Sequence, residues 1–253
     1  MQRRRAHRLL SPPRRVENAY VSTLRGAIRS LHDEAMSWLL PKLPSFLDPH
    51  GAPRADAMTP LSSDFEAYVR SLVDRLGQHT GPEFDQLLSS ILASNARGIA
   101  QLGIDVRQLP GMGGVVSHFR AWNVQLMTDA GRDYAADVGS ILDDPASWGL
   151  RVEELAEQLV ARGGVAESHA ELIARDQTLK LNSQVNQYRQ QAAGIDAYVW
   201  SGSLDERERE THLAHEGERI QWISPPADTG HAGMDFQCRC VGMPVISELD
   251  DNT

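Results

Sequence analysis

Residues 194–200 read Gly-Ile-Asp-Ala-Tyr-Val-Trp, and the pattern of the sequence changes here from helix to strand. Aromatic and β-branched side chains in a short run that follows a glycine favour a β-strand. Residues 219–223 (Arg-Ile-Gln-Trp-Ile) and residues 240–246 are two further strand candidates. We therefore predict a small mixed α/β domain over residues 194–246.

A short helix is expected between the first two strands. Asp205 has the side chain of an N-cap, Glu208 follows at the third helical position, and Gly217 marks the end. Acidic residues then lie at the positive end of the helix dipole, and His212 and His215 lie at the negative end. The spacing predicts a helix of two to three turns.

Upstream of this domain, the apolar residues follow a helical period. They recur at intervals of three and four residues over residues 16–40 and again over residues 115–141. Prolines break the pattern over residues 41–61, which predicts a loop. We expect a helical region at residues 17–113, followed by long helices over residues 114–193.

Two capping boxes, in which a serine precedes a glutamate by three residues, predict helix starts. These are Ser63-Asp-Phe-Glu66 and Ser168-His-Ala-Glu171, and Gly163-Gly164 is expected to end a shorter helix before the second box. The patterns together predict an α+β protein, with a mostly helical N-terminal body and a small mixed α/β C-terminal domain. Residues 247–253 form an acidic terminus.

The composition argues against two classes of protein. Hydrophobic residues make up 41% of the 253 residues, enough for a core, but no run approaches the roughly 18 apolar residues of a membrane span. The first ten residues are basic like the start of a secretory signal, yet Ser11-Pro12-Pro13 ends the apolar run after two leucines. We therefore expect neither an integral membrane protein nor a classically secreted one.

The first sixteen residues form a basic arm. They contain six arginines and no acidic residue, which leaves the rest of the chain with a formal charge of −15, since the whole chain carries −9. The arginines are Arg3, Arg4, Arg5, Arg8, Arg14 and Arg15. An acidic body binds DNA phosphates poorly, so contact with DNA is expected only through the arm. Residues 1–16 are predicted to be mobile, either as a solvated terminus or as a contact for DNA or an acidic partner.

Cys238 and Cys240 are the two cysteines of the chain, and one residue separates them. A disulfide between such near neighbours would be strained, so both are expected to be reduced. With His212, and with His215 and His231 nearby as further candidates, they offer thiolates and imidazoles, which are ligands that suit Zn²⁺. Spacing alone leaves two interpretations open: a zinc site, or small side chains that are simply buried.

An ordered string of residues runs through the predicted domain: Tyr198-Val-Trp200, Asp205-Glu-Arg207-Glu-Arg209, His212, Gly217, Pro225-Pro226, Gly233-Met-Asp235 and Cys238-Arg239-Cys240. This string resembles the C-terminal domain of phage head morphogenesis proteins, the minor head proteins named after the F protein of phage Mu. Residues 148–156, and residues 170–175 with Leu181-Asn182, are similar to the helices that lead into that domain. The resemblance covers about residues 115–246.

The resemblance implies a minor head protein that is present in few copies and supports capsid assembly without a catalytic step. It implies synthesis in the host bacterial cytoplasm and a location in the virion head, near the portal vertex. The implied partners are the portal protein and other capsid or scaffold proteins, with packaged DNA as a further partner of the basic arm. The resemblance implies no definite cofactor, and it leaves open whether the chain binds zinc.

The resemblance also bears on the metal ligands. Many members of the family carry a cysteine pair where this chain has Arg209 and His212. His212 therefore takes the place of a ligand, whereas an arginine cannot be one. Asp205, Arg207 and Arg239 fit a polar network instead, in which guanidinium groups bind a carboxylate.

The alternative function is a metal-dependent hydrolase or transferase, in which the His/Cys cluster activates water beside Glu208 or Glu210. The sequence lacks H-E-x-x-H, the pairing of H-x-E with P-C-x-x-C, and G-x-S-x-G. Gly111-Met-Gly-Gly114 lacks the lysine of a phosphate-binding loop. The sequence therefore contains no complete catalytic motif, which favours the non-enzymatic interpretation.

Overall fold

The structure, a computed structural model, describes residues 2–46, 54–79, 81–106, 111–147 and 150–246. Within these ranges the chain forms seven α-helices, one 3-10 helix and three strands. The helices are α1 (Gln2–Leu10), α2 (Arg14–Leu39), α3 (Ala55–His79), α4 (Gly81–Gln101), α5 (Gly113–Asp143), α6 (Val152–Ala192) and α7 (Glu210–Ala214). The 3-10 helix is Leu40–Phe46, and the strands are β1 (Ala197–Ser201), β2 (Arg219–Gln221) and β3 (Val241–Pro244). The predicted acidic terminus, residues 247–253, lies outside the described residues, and so do the first two residues, 148 and 149, of the stretch 148–156 that resembles the family.

The three strands form one antiparallel sheet in the order β2-β1-β3. Tyr198 of β1 lies opposite Ile220 of β2 and Pro244 of β3. Tyr198 and Trp200 point to the same face of the sheet, because side chains alternate along a strand, and both are fully buried. The predicted α+β fold, helical first and with a small sheet at the C-terminal end, is confirmed.

The helix α6 runs without a break from Val152 to Ala192, so the predicted stop at Gly163-Gly164 is wrong. The predicted start at Ser168 is also wrong, because Ser168 Oγ donates to the backbone carbonyl of Gly164 at 2.9 Å, as a serine inside a helix does. Gly163 allows a close approach of the His32 ring. A Cβ at that position would lie 2.6 Å from His32 Cδ2.

The predicted loop at residues 41–61 is wrong at both ends. Leu40–Phe46 is a 3-10 helix, and α3 begins at Ala55. The predicted helix start at Ser63 is therefore also wrong, because Ser63 lies inside α3. Residues 47–53 lie outside the described residues. Pro60 lies inside α3 and removes one backbone hydrogen bond. Burial of Met58 and Leu61, each 1% exposed, offsets that cost.

The chain divides into two compact units. The helical unit comprises Tyr20–Phe84 and Ala121–Ile173, and its core is built from apolar side chains of α2, α3, α5 and α6. A buried hydrogen bond of 2.8 Å joins His32 Nδ1 to the Tyr134 hydroxyl within this core. Among the described helices, none is long and apolar enough to cross a membrane.

The sheet unit comprises Met1–Ala19, Asp85–Arg120 and Ala174–Thr253, and it includes α1. Ala6 and Leu10, which are 6% and 0% exposed, pack with Val241 and Met243 of β3. Asn182 Nδ2 donates to the backbone carbonyl of Leu10 at 2.7 Å. The prediction of a mobile arm is therefore wrong for residues 2–10. These residues form an amphipathic helix, in which two apolar side chains four residues apart share the buried face.

Candidate functional site

The sheet unit brings His212, Cys238 and Cys240 together. His212 lies in α7, and the two cysteines lie just before β3. All three residues are buried, and their ligand atoms lie within 4.8 Å of one another. Cys238 Sγ is 3.5 Å from His212 Nδ1, and Cys240 Sγ is 3.6 Å from the same atom. The three side chains form one cluster of donor atoms, which we call the thiol–imidazole cluster.

The two thiols of the cluster differ in acidity. A hydrogen bond between the two thiols lowers the pKa of Cys238 to about 6, although burial acts in the opposite direction. The same bond, together with burial, raises the pKa of Cys240. The backbone N–H of Gly233 donates to Cys238 Sγ at 3.3 Å, which also favours the thiolate. Cys238 is therefore the more acidic thiol of the pair.

Asp235 fixes the orientation of the His212 imidazole. His212 Nε2 donates to Asp235 Oδ2 at 3.0 Å, so Nδ1 is the nitrogen that faces the two sulfurs. The Arg209 guanidinium donates to the same carboxylate oxygen at 2.9 Å and to the backbone carbonyl of Phe236 at 2.7 Å. Burial raises the pKa of Asp235, but the Phe236 N–H, His212 and Arg209 outweigh it and leave the pKa below its usual range. Arg209 and Asp235 thus act on the cluster through His212.

Glu208 borders the thiol–imidazole cluster on the side of Cys240. Cys240 Sγ is 3.5 Å from Glu208 Oε1, and the other carboxylate oxygen accepts a hydrogen bond of 2.5 Å from the backbone N–H of Leu204. Gly202 leaves room for this carboxylate, since a Cβ at that position would lie 2.6 Å from Glu208 Cδ. The sequence indicated Glu208 as the third residue of the predicted helix and as a neighbour of a catalytic metal, but nothing in the spacing predicted its contact with Cys240.

Asp205 and Arg239 form a bidentate ion pair. The two guanidinium nitrogens donate to the two carboxylate oxygens at 2.5 and 2.6 Å, and this pairing lowers the pKa of Asp205 to about 2. Arg207 takes part through its backbone N–H, which donates to Asp205 Oδ1 at 3.1 Å. The predicted N-cap at Asp205 is wrong, because α7 begins only at Glu210 and the Asp205 carboxylate is engaged by Arg239 instead.

A row of buried amide side chains on α6 donates hydrogen bonds to backbone carbonyls of α1 and β3. Asn186 Nδ2 and Gln190 Nε2 each donate to the backbone carbonyl of Gly242 at 2.7 Å, and Asn182 binds the carbonyl of Leu10. Positions 182, 186 and 190 share one helix face, since they are four residues apart. Of the three amides, only Asn182 lies among the residues that resemble the family. The four-residue spacing of amides was the signal for the other two.

A pocket of about 210 Å³ opens beside the thiol–imidazole cluster. Its walls include the three cluster residues, together with four arginines and two glutamates. These charged residues are Arg175, Arg207, Arg209, Arg239, Glu17 and Glu208. The thiolate and carboxylate charges near the cluster therefore lie among guanidinium groups, which stabilise negative charge.

The other two histidines of this region lie outside the cluster. His215 Nδ1 and Nε2 face Glu218 and Asp228 at 2.5 and 3.1 Å, and these two carboxylates raise the pKa of His215. His231 Nε2 donates to the backbone carbonyl of Trp222 at 3.0 Å. Both rings are thus engaged by groups other than the cysteines.

The arginines of the basic arm lie on two helices. Arg4, Arg5 and Arg8 have exposed side chains on α1, and Arg14 and Arg15 have exposed side chains at the start of α2. Arg3 also falls within α1. The exposed guanidinium groups are available to an anionic partner, although the helix that carries three of them is packed on the sheet unit.

Comparisons with known proteins agree with the resemblance of the C-terminal residues. Residues 138–243 match the family of phage Mu protein F like proteins. An uncharacterized protein of Haemophilus influenzae strain Rd is 40% identical over 156 residues, which are 60% of this chain and 34% of that protein. The chain therefore spans about a third of the length of this curated relative. No solved structure matches the chain.

The matched range contains the thiol–imidazole cluster and most of the sheet. It runs from the end of α5 through α6 and β1 to Met243 in β3, so it includes His212, Cys238 and Cys240. Residues 138–243 are therefore similar to the phage Mu protein F like family, and the resemblance that the C-terminal residues predicted is confirmed for this part of the chain.

Proposed function

We propose that this chain is a minor head protein of a bacteriophage, a low-copy virion component that associates with the portal and supports capsid assembly. The observation that carries the proposal is the family match over residues 138–243, which supports a protein of the head morphogenesis type. The proposed location is the virion head near the portal vertex, after synthesis in the host bacterial cytoplasm.

The surface of the sheet unit offers contacts for the proposed partners. Ile223, Phe236 and Leu213 are large apolar residues that are 91%, 52% and 51% exposed. Such side chains suit contacts with the portal or with other capsid or scaffold proteins. The exposed arginines of α1 and of the start of α2 suit a polyanion, so packaged DNA is the proposed partner of the basic arm.

A structural role accounts for the family match better than a catalytic one. The alternative, a metal-dependent hydrolase or transferase that uses the thiol–imidazole cluster, gains no support from the family match. We therefore propose that the chain acts by binding other head components, without a chemical step.

The proposal is tested by producing the full chain together with the portal protein of the same phage. The chain is expected to co-purify with its own portal and not with the portal of an unrelated phage. A phage that lacks the gene should form defective heads, and the wild-type gene supplied in trans should restore them. A chain that stays unbound, together with normal infectious heads in its absence, would contradict the proposal.

A further inference from the structure

We propose that Glu208 joins His212, Cys238 and Cys240 as the four ligands of one structural Zn²⁺ ion. The ion would link α7 and the turn before it to the segment that leads into β3. It would stabilise the sheet unit whichever partner the chain binds.

The distances between the donor atoms match the edges of a zinc tetrahedron. With Zn–S bonds of about 2.3 Å and Zn–N bonds of about 2.0 Å, tetrahedral geometry places sulfur and nitrogen about 3.5 Å apart. The observed separations from His212 Nδ1 are 3.5 Å for Cys238 Sγ and 3.6 Å for Cys240 Sγ. The three side chains are therefore already at ligand spacing.

Glu208 is the proposed fourth donor, because its carboxylate contacts Cys240. An edge between a thiolate and a carboxylate oxygen in such a site is about 3.6 Å long, and Cys240 Sγ lies 3.5 Å from Glu208 Oε1. The Leu204 N–H holds the other oxygen, so Oε1 is the one that faces Cys240. Glu208 lies outside the group whose donor atoms are all within 4.8 Å of one another, so its carboxylate would turn toward His212 and Cys238 when the ion binds. A carboxylate beside two cysteines concentrates negative charge, and a divalent cation between them would neutralise it.

The surroundings of His212 also match those of a metal ligand. A histidine that binds metal usually donates its other ring N–H to a carboxylate or carbonyl, which fixes the ring. His212 Nε2 donates in this way to Asp235, which Arg209 holds in turn. The free lone pair of Nδ1 then points toward the two sulfurs.

The donor set selects zinc and indicates a structural site. Two thiolates and an imidazole favour Zn²⁺ over hard cations such as Mg²⁺ or Ca²⁺, which prefer oxygen ligands. Four protein ligands leave no position for the water that catalytic zinc sites keep. The ion is therefore assigned to stability and not to hydrolysis.

The first experiment uses the full wild-type chain, purified without chelators. Elemental analysis and native mass spectrometry should give one zinc per chain. Removal of zinc with a chelator should lower the melting temperature, and Zn²⁺ but not Mg²⁺ should restore it. Co²⁺ in place of zinc should give the intense visible bands of a tetrahedral site and thiolate-to-cobalt charge transfer. A chain without zinc, whose melting responds to neither chelator nor Zn²⁺, would overturn the site.

Variants separate the roles of the ligands. Cys238→Ser and Cys240→Ser should abolish zinc binding. Glu208→Gln should weaken zinc binding and shift the cobalt bands, whereas Glu210→Gln, an exposed neighbour, should change neither. Asp235→Asn should weaken zinc binding about 10–100-fold, as removal of a group behind a ligand does, and leave the charge-transfer bands in place. Wild-type zinc affinity and an unchanged cobalt spectrum in Glu208→Gln would overturn the assignment of the fourth ligand.

Discussion

His7 Nε2 of α1 and the backbone carbonyl of Arg239 are 3.3 Å apart, although 232 residues separate them in sequence. The bond ties the N-terminal helix to the residue between the two cysteines. The same helix passes very close to α4 at Gly98, where any side chain would collide with the Leu9 backbone. The N-terminal segment is thus part of the sheet unit that carries the thiol–imidazole cluster.

The first prediction concerns this packing. Leu10→Ala should lower the free energy of unfolding of the sheet unit by about 3 kcal/mol, since Leu10 is 0% exposed and its removal leaves a cavity. Leu172→Ala, at a residue that is 43% exposed on α6, is the matched control and should change stability far less. Chemical denaturation of the two variants checks the difference. Equal, small effects would show that α1 does not contribute to the core.

The second prediction concerns the pH dependence of the helical unit. Burial lowers the pKa of His32, so its neutral form is favoured in the folded state. The unfolded chain therefore takes up a proton more readily, and stability should fall as the pH drops below about 6.5, with a slope of at most about 1.4 kcal/mol per pH unit. His32→Gln should be less stable at pH 7 and should lose this part of the pH dependence.

Denaturation curves between pH 5 and 8 measure the effect. His169→Gln, at an exposed histidine of α6, serves as the control and should keep the wild-type pH dependence. A His32→Gln chain with the same slope below pH 6.5 as the wild type would show that His32 is protonated equally in the folded and unfolded states.

The elements that were predicted correctly depend on local sequence. β1 follows from the aromatic and β-branched residues at 197–200, and the long α5 follows from the regular spacing of its apolar side chains. The continuity of α6 could not be predicted from local sequence. Gly163 suggested a helix end, but it lies inside α6, where its lack of a side chain makes room for the His32 ring, 131 residues away in sequence. The packing of α1 could not be predicted from local sequence either, because it depends on contacts with β3, at the other end of the chain.

The candidate site was also predictable only where local sequence carries the information. The residue types and the family resemblance identified His212, Cys238 and Cys240, and the structure places them together. Glu208 and Asp235 owe their contacts to the fold of the segments around α7, which no spacing rule describes. Their roles therefore emerge only from the three-dimensional arrangement.

The third prediction concerns the basic arm. Replacement of Arg4, Arg5 and Arg8 with glutamine should weaken DNA binding, because fewer phosphates are then neutralised by arginine. The slope of log affinity against log salt should become shallower by about 0.9 for each phosphate that is no longer neutralised. The fold should be unchanged, because these side chains are exposed and the packed residues Ala6 and Leu10 remain.

A salt titration of DNA binding checks this prediction. The control carries glutamine at Arg75, Arg120 and Arg151, which removes the same charge from exposed positions elsewhere. Identical slopes for the two triple variants would show that the arm makes no specific contact with DNA.

Quantitative mass spectrometry of purified virions tests the proposed head function most directly. Peptides from residues 138–243 should be present in particles at a constant ratio to the portal protein, and at far fewer copies than the major capsid protein. Their absence from complete, infectious particles would contradict the assignment of this chain to the phage head.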